Sequence, residues 1–135
     1  LSIVREIAGF IPEALAAVGT RGSGQDAALT GFLGPDPVCV VEVSSLSPIH
    51  ERRILVEFDD AVVLLDDAFA TTLRIAHKGS TGEKEVRPLL DEMPLLKELG
   101  IFVSHLAGGP APRSSAAEGE LSVRRITELR TMAGI

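Results

Sequence analysis

The sequence predicts an α+β fold: an open, mostly antiparallel β-sheet with helices packed on one face. Three observations predict it. Short strand-like runs follow one another through residues 38–88 with no room between them for crossover helices, so neighbouring strands pair antiparallel. Two stretches with helical spacing come after them, over 93–106 and 115–132. The composition is that of an ordinary globular chain, 45% hydrophobic and 24% charged, and 135 residues suffice for one domain spanning 1–135.

Residues 2–10 mix β-branched and polar types, with Ile3, Val4 and Ile7, and read as a first strand. Residues 12–21 are Ala-rich and fit either helix or strand. Ser23-Gly24-Gln25-Asp26 has the form of a capping box. The apolar run 27–33 and then Gly34 complete the pattern of a short helix. Residues 38–46 are strand-like. Ile54, Val56 and Phe58 alternate along 53–58, Asp59-Asp60 supplies a turn, and 61–65 is a second apolar strand, so these two make a hairpin. Residues 72–77 form another strand, Lys78-Gly79-Ser80-Thr81-Gly82 turns the chain, and 83–87 returns. In 93–106, Leu95, Leu96, Leu99, Phe102, Val103 and Leu106 fall on one face, and Gly108-Gly109-Pro110 stops the helix. Ser115-Ala116-Ala117-Glu118 is a second capping box, and Ile126, Leu129 and Ala133 mark a narrow apolar stripe on the helix it opens.

Residues 38–41 and 61–65 are apolar on both faces, whereas an antiparallel strand packed on one side alternates. A second layer is therefore expected over them, from another domain or from a second copy packed on the sheet face opposite the helices.

The formal net charge is −6, with no block of Lys or Arg. Nucleic acids and anionic membranes are held by clustered cations, so neither is expected as a partner. Five Phe with no Trp or Tyr also leave few platforms for stacking bases. The single cysteine, Cys39, lies in an apolar run and reads as a buried, inert thiol in a reducing compartment, so a cytoplasmic protein is expected. No apolar stretch reaches spanning length. The chain begins at Leu1, which predicts a piece of a longer protein.

Gly22-Ser23-Gly24-Gln25-Asp26-Ala27 fits the dinucleotide fingerprint, with Glu42 twenty residues after Gly22. Its surroundings argue against that use: 14–18 is a poor strand, the helix after it is too short, and a meander follows instead of βαβ units. His50, His77 and His105 lack the spacing of a metal site, so no metal is expected. Asp59-Asp60 and Asp66-Asp67 read as turn and strand-end acids, because adjacent side chains in a strand point to opposite faces. No P-loop and no G-x-S-x-G elbow is present.

Pro94-Leu95-Leu96-Lys97-Glu98-Leu99 with Phe102, then 108–115 with Glu118-Gly119 and a final helix, resembles the Gfo/Idh/MocA oxidoreductases, the glucose–fructose oxidoreductase and inositol dehydrogenase relatives. The hairpin of 53–65, the glycine-containing turn 79–82 and the opening segment 1–7 are also similar, so the resemblance spans nearly the whole chain. It rests on order and spacing. It implies the C-terminal α+β domain of a two-domain enzyme whose N-terminal dinucleotide-binding domain is absent from this chain. NAD or NADP would lie on that missing domain, with none held here, and a catalytic lysine would come from there too. The substrate would be a sugar, cyclitol or related hydroxy or carbonyl compound. The partners implied are the N-terminal domain of the same parent chain and further copies of the protein.

The family often carries Asp, then His four residues on, then Asp three further on, at the start of a helix reaching the active site. The resemblance matches only the last, Asp26, as a catalytic residue, and makes Arg21, Ser23 and Gln25 substrate-binding neighbours. Gly19 and Ser23 stand in the other two places, and a neutral Ser does not replace His in exchanging a hydroxyl proton. Physically, the same segment is expected to offer backbone N–H groups at a helix start. Two readings of Asp26 stand side by side: a substrate-facing acid, or the acid of a capping box. Two functions do so as well: the substrate-side domain of an oxidoreductase, inactive alone, or a non-catalytic ligand-binding or assembly module of the same fold.

Overall fold

In the computed structural model, which describes residues 1–67, 69–79, 84–89, 94–112 and 115–135, the chain divides into two units. Leu1–Pro48 and Ala111–Ile135 form the first, and Ile49–Pro110 the second. The architecture is α+β, with every strand pairing antiparallel. Among the described residues the strands are shared between two sheets, three in one and four in the other.

The first unit opens with α1, Ser2–Ala8, where the sequence suggested a strand. Ile3 and Ile7 stand one helical turn apart. Gly9 ends the helix in the left-handed conformation, φ 82°, its N–H donating to the Arg5 carbonyl at 2.7 Å. The Ala-rich segment resolves as β1, Ala14–Arg21. The apolar run expected to be helical is β2, Ala27–Leu33, joined to β1 as a hairpin with Arg21 opposite Ala27. β3, Cys39–Ser44, completes the sheet, with Gly31 opposite Val41.

One face of this sheet is floored by small residues, and α3, Ala116–Ala133, lies there across β1 and part of β2. A side chain at Gly31 would put its Cβ 2.8 Å from Leu129 Cδ1, and one at Gly19 would come within 2.9 Å of Ala133 Cβ. The missing methyl groups let the helix approach. Leu129 is 1% exposed and forms the core with Leu33 and Ile11. Full burial of such a leucine is worth roughly 1.5–3 kcal/mol. The helix begins as expected. Ser115 Oγ accepts from the Glu118 N–H at 3.3 Å, and Glu118 Oε2 accepts from the Ser115 N–H at 2.8 Å. Arg5 Nη2 reaches Glu118 Oε1 at 2.5 Å, so the cap also receives α1. Further along, Arg125 donates to the Pro12 carbonyl at 3.1 Å and to Glu128 at 2.7 Å, fastening α3 to the segment leading into β1. The opposite sheet face exposes Val18, Phe32 and Val40.

The second unit is a meander of β4 (Ile54–Glu57), β5 (Ala61–Leu65), β6 (Thr72–His77) and β7 (Lys84–Pro88). Its first hairpin turns at Asp59-Asp60 as the sequence indicates, closed by the Phe58 N–H on the Ala61 carbonyl at 2.7 Å. Val56, Val63 and Ile75 align across three strands, and Ile75 and Ala61 are buried. An Arg74–Asp66 ion pair joins β6 to the end of β5, and a Lys78–Glu57 pair at 2.8 Å joins the end of β6 to β4, which lies on the other side of β5. Of the expected turn 78–82 and return strand 83–87, residues 80–83 lie outside the described residues, as does the expected helix start at Met93. Within α2, Pro94–Leu106, the side chains of Leu96, Leu99, Phe102, Val103 and Leu106 are exposed. Gly108, φ 91°, ends it. Among the described residues no helix is long and apolar enough to cross a membrane.

Candidate functional site

The residues singled out by the sequence, Arg21, Ser23, Gln25 and Asp26, share one place: the end of the β1–β2 hairpin. The helix expected to start at Ser23 is not there. The Gly22 N–H donates to the Asp26 carbonyl at 2.8 Å, and the Asp26 N–H donates to the Ser23 carbonyl at 3.2 Å. A serine, two glycines and an aspartate suit a tight reversal as well as a helix cap, and pairing with β1 decides for the reversal. Without a helix there is no aligned dipole at this segment, so that physical argument for an anion-holding site falls. The match of Asp26 to the family's last aspartate loses its helical setting as well.

The hairpin end is fastened from two sides within its unit. Arg21 Nε donates to the Gly134 carbonyl beyond α3 at 3.3 Å. Ser45 Oγ accepts from the Ala27 N–H at 3.0 Å and donates to the Ala27 carbonyl at 3.3 Å. Sequence reading missed Ser45, whose role appears only once the β2–β3 register is known. Gly22 is set against Leu46, whose Cδ2 would lie 2.4 Å from an added Cβ. A pyrophosphate in the fingerprint's manner needs the first turn of a βαβ unit, and this segment joins two antiparallel strands, so it does not fit a dinucleotide. The four candidate side chains are exposed at this end.

Several other titratable groups have local partners. His77 Nε2 lies 3.4 Å from Glu85 Oε2, and Arg87 Nε lies 2.5 Å from Glu85 Oε1, which makes a cross-strand cluster on β6 and β7. The hydrogen bonds from Arg87 and then His77 hold the Glu85 carboxyl below its usual range, and Lys78 does the same for Glu57. His105 Nδ1 lies 3.4 Å from the Gly109 carbonyl. Asp67 accepts from the Phe69 N–H at 2.8 Å, a turn acid as expected. Among the described residues no group of three or more potential ligands could hold a metal. Burial pushes the Cys39 thiol up, away from the thiolate a nucleophile needs. An open depression along α3 is lined by Arg124, Thr127, Glu128, Thr131 and Met132. Both threonine hydroxyls there donate to carbonyls of their own helix.

No protein-family model matches this chain, and no curated protein matches it. A solved structure does. UDP-N-acetylglucosamine 3-dehydrogenase GnnA from Acidithiobacillus ferrooxidans is similar over 90% of this chain, with a TM-score of 0.73 and 19% sequence identity. The two share a fold. The chain spans 40% of the GnnA chain. At this identity the likeness to GnnA is one of architecture, and it bears out the α+β class with antiparallel sheets and helices.

Proposed function

We propose that this chain is the substrate-side domain of an NAD(P)-dependent oxidoreductase acting on a sugar, cyclitol or related hydroxy or carbonyl compound. The observation that carries the reading is the likeness to a dehydrogenase over 90% of this chain and only 40% of that one. A piece of that size fits one domain of a larger enzyme. GnnA is by its name a dehydrogenase of a sugar nucleotide, which favours a sugar among the substrate classes. The cofactor would supply the hydride acceptor or donor. The Gly22–Asp26 segment does not fit it, so the reading assigns NAD or NADP to an N-terminal domain of the parent chain. The open sheet face bearing Val18, Phe32 and Val40 is assigned to a second copy of the protein. A cytoplasmic location goes with this reading.

Arg21, Ser23, Gln25 and Asp26 are the side chains the reading gives to the substrate wall. A non-catalytic ligand-binding or assembly module of the same fold is the second reading. It is favoured by Gly19, which stands in the place of the family's first acid and instead seats Ala133 of α3. The complete parent protein separates these readings. NAD- or NADP-dependent turnover of a UDP-sugar or a free sugar supports the enzyme, and its absence with both cofactors supports the module. In an active parent, Asp26→Asn tests the site. A large fall in turnover at unchanged melting temperature supports the substrate wall, whereas unchanged turnover removes Asp26 from it.

A further inference from the structure

We draw no further inference here: the strongest candidate, the exposed apolar stripe of α2 formed by Leu96, Leu99, Phe102, Val103 and Leu106, is an unpartnered helix face, and nothing in the structure shows what covers it.

Discussion

Replacing Gly31 by Ala and Leu129 by Ala, singly and together, tests the seating of α3 on its sheet. Leu129 is 1% exposed, and truncating such a leucine costs about 2–5 kcal/mol through lost transfer energy and the cavity left behind. Gly31→Ala acts in the opposite sense, by crowding. Its methyl would meet Leu129 Cδ1 at 2.8 Å and Cδ2 at 2.9 Å, well inside the ~3.5–4.0 Å optimum for carbon pairs. Overpacking costs about 1–3 kcal/mol. Set against that is roughly 0.5–1 kcal/mol from removing a glycine inside a strand. The single substitution is thus expected to lose about 1 kcal/mol. With Leu129→Ala already present, the same methyl enters vacated space. It then gains about 0.8 kcal/mol of burial in addition to the glycine contribution. The sign reverses, and the coupling between the sites comes to roughly 2–3 kcal/mol, within the range for residues in contact. Urea denaturation of the four proteins followed by far-ultraviolet circular dichroism measures this, a suitable probe because the chain has no Trp or Tyr. Additivity of the two single effects to within about 0.5 kcal/mol would refute the reasoning.

Ser115→Ala removes the acceptor for the Glu118 N–H and is expected to cost about 1 kcal/mol in the same assay, while Glu118→Gln, which keeps an oxygen for the Ser115 N–H, costs less; no loss from Ser115→Ala contradicts the cap. Glu57 and Glu85 have folded pKa values held below the ordinary carboxylate range, so the stability they add is present above that range and is lost as pH falls through the lowered values. Melting at stepped pH should show a flatter acid limb for Glu57→Gln combined with Glu85→Gln, and an unchanged limb argues against those pairs; both acids are exposed, so high salt should shrink the difference. For the assignment of the open sheet face, sedimentation of the chain is expected to show a dimer burying on the order of 1,200–2,000 Å² in total, converted to monomer by Val40→Asp. A wild-type chain that stays monomeric at high concentration overturns that assignment.

The second unit was legible from sequence because its signals are local. Ile54, Val56 and Phe58 alternate, and Asp59-Asp60 turns the chain where a hairpin needs it. The last helix was legible for the same reason, its box of Ser115 and Glu118 being satisfied within one turn. The opening of the first unit, residues 1–33, was not. Ser23-Gly24-Gln25-Asp26 carries side chains that serve a helix start or a reversal equally, and only pairing with residues before it decides. In β1 the small residues Ala17 and Gly19 stand on the face under α3, which must stay low, although alanine is the best helix former. A tertiary requirement there overrides local propensity. At α1 the helical signals are local as well, since Ile3 and Ile7 have helical spacing and Gly9 is the stop, but the β-branched residues there suit a strand equally. The candidate site was legible only as a cluster. Its residues do gather at one hairpin end, but the helix that gave them a physical role belonged to the misread segment.

The first unit draws on both ends of the chain, with Arg125 bonded to the Pro12 carbonyl across 113 residues of sequence. On the ribosome, the three-stranded sheet emerges long before the helix that covers it. Its small-residue floor stays wet until the final turns of α3 have been made, and contacts so distant in sequence form slowly. The intervening unit has all its strand pairings within itself and can complete them first. A nascent or truncated chain lacking α3 therefore carries an uncovered sheet and is a natural client for a chaperone.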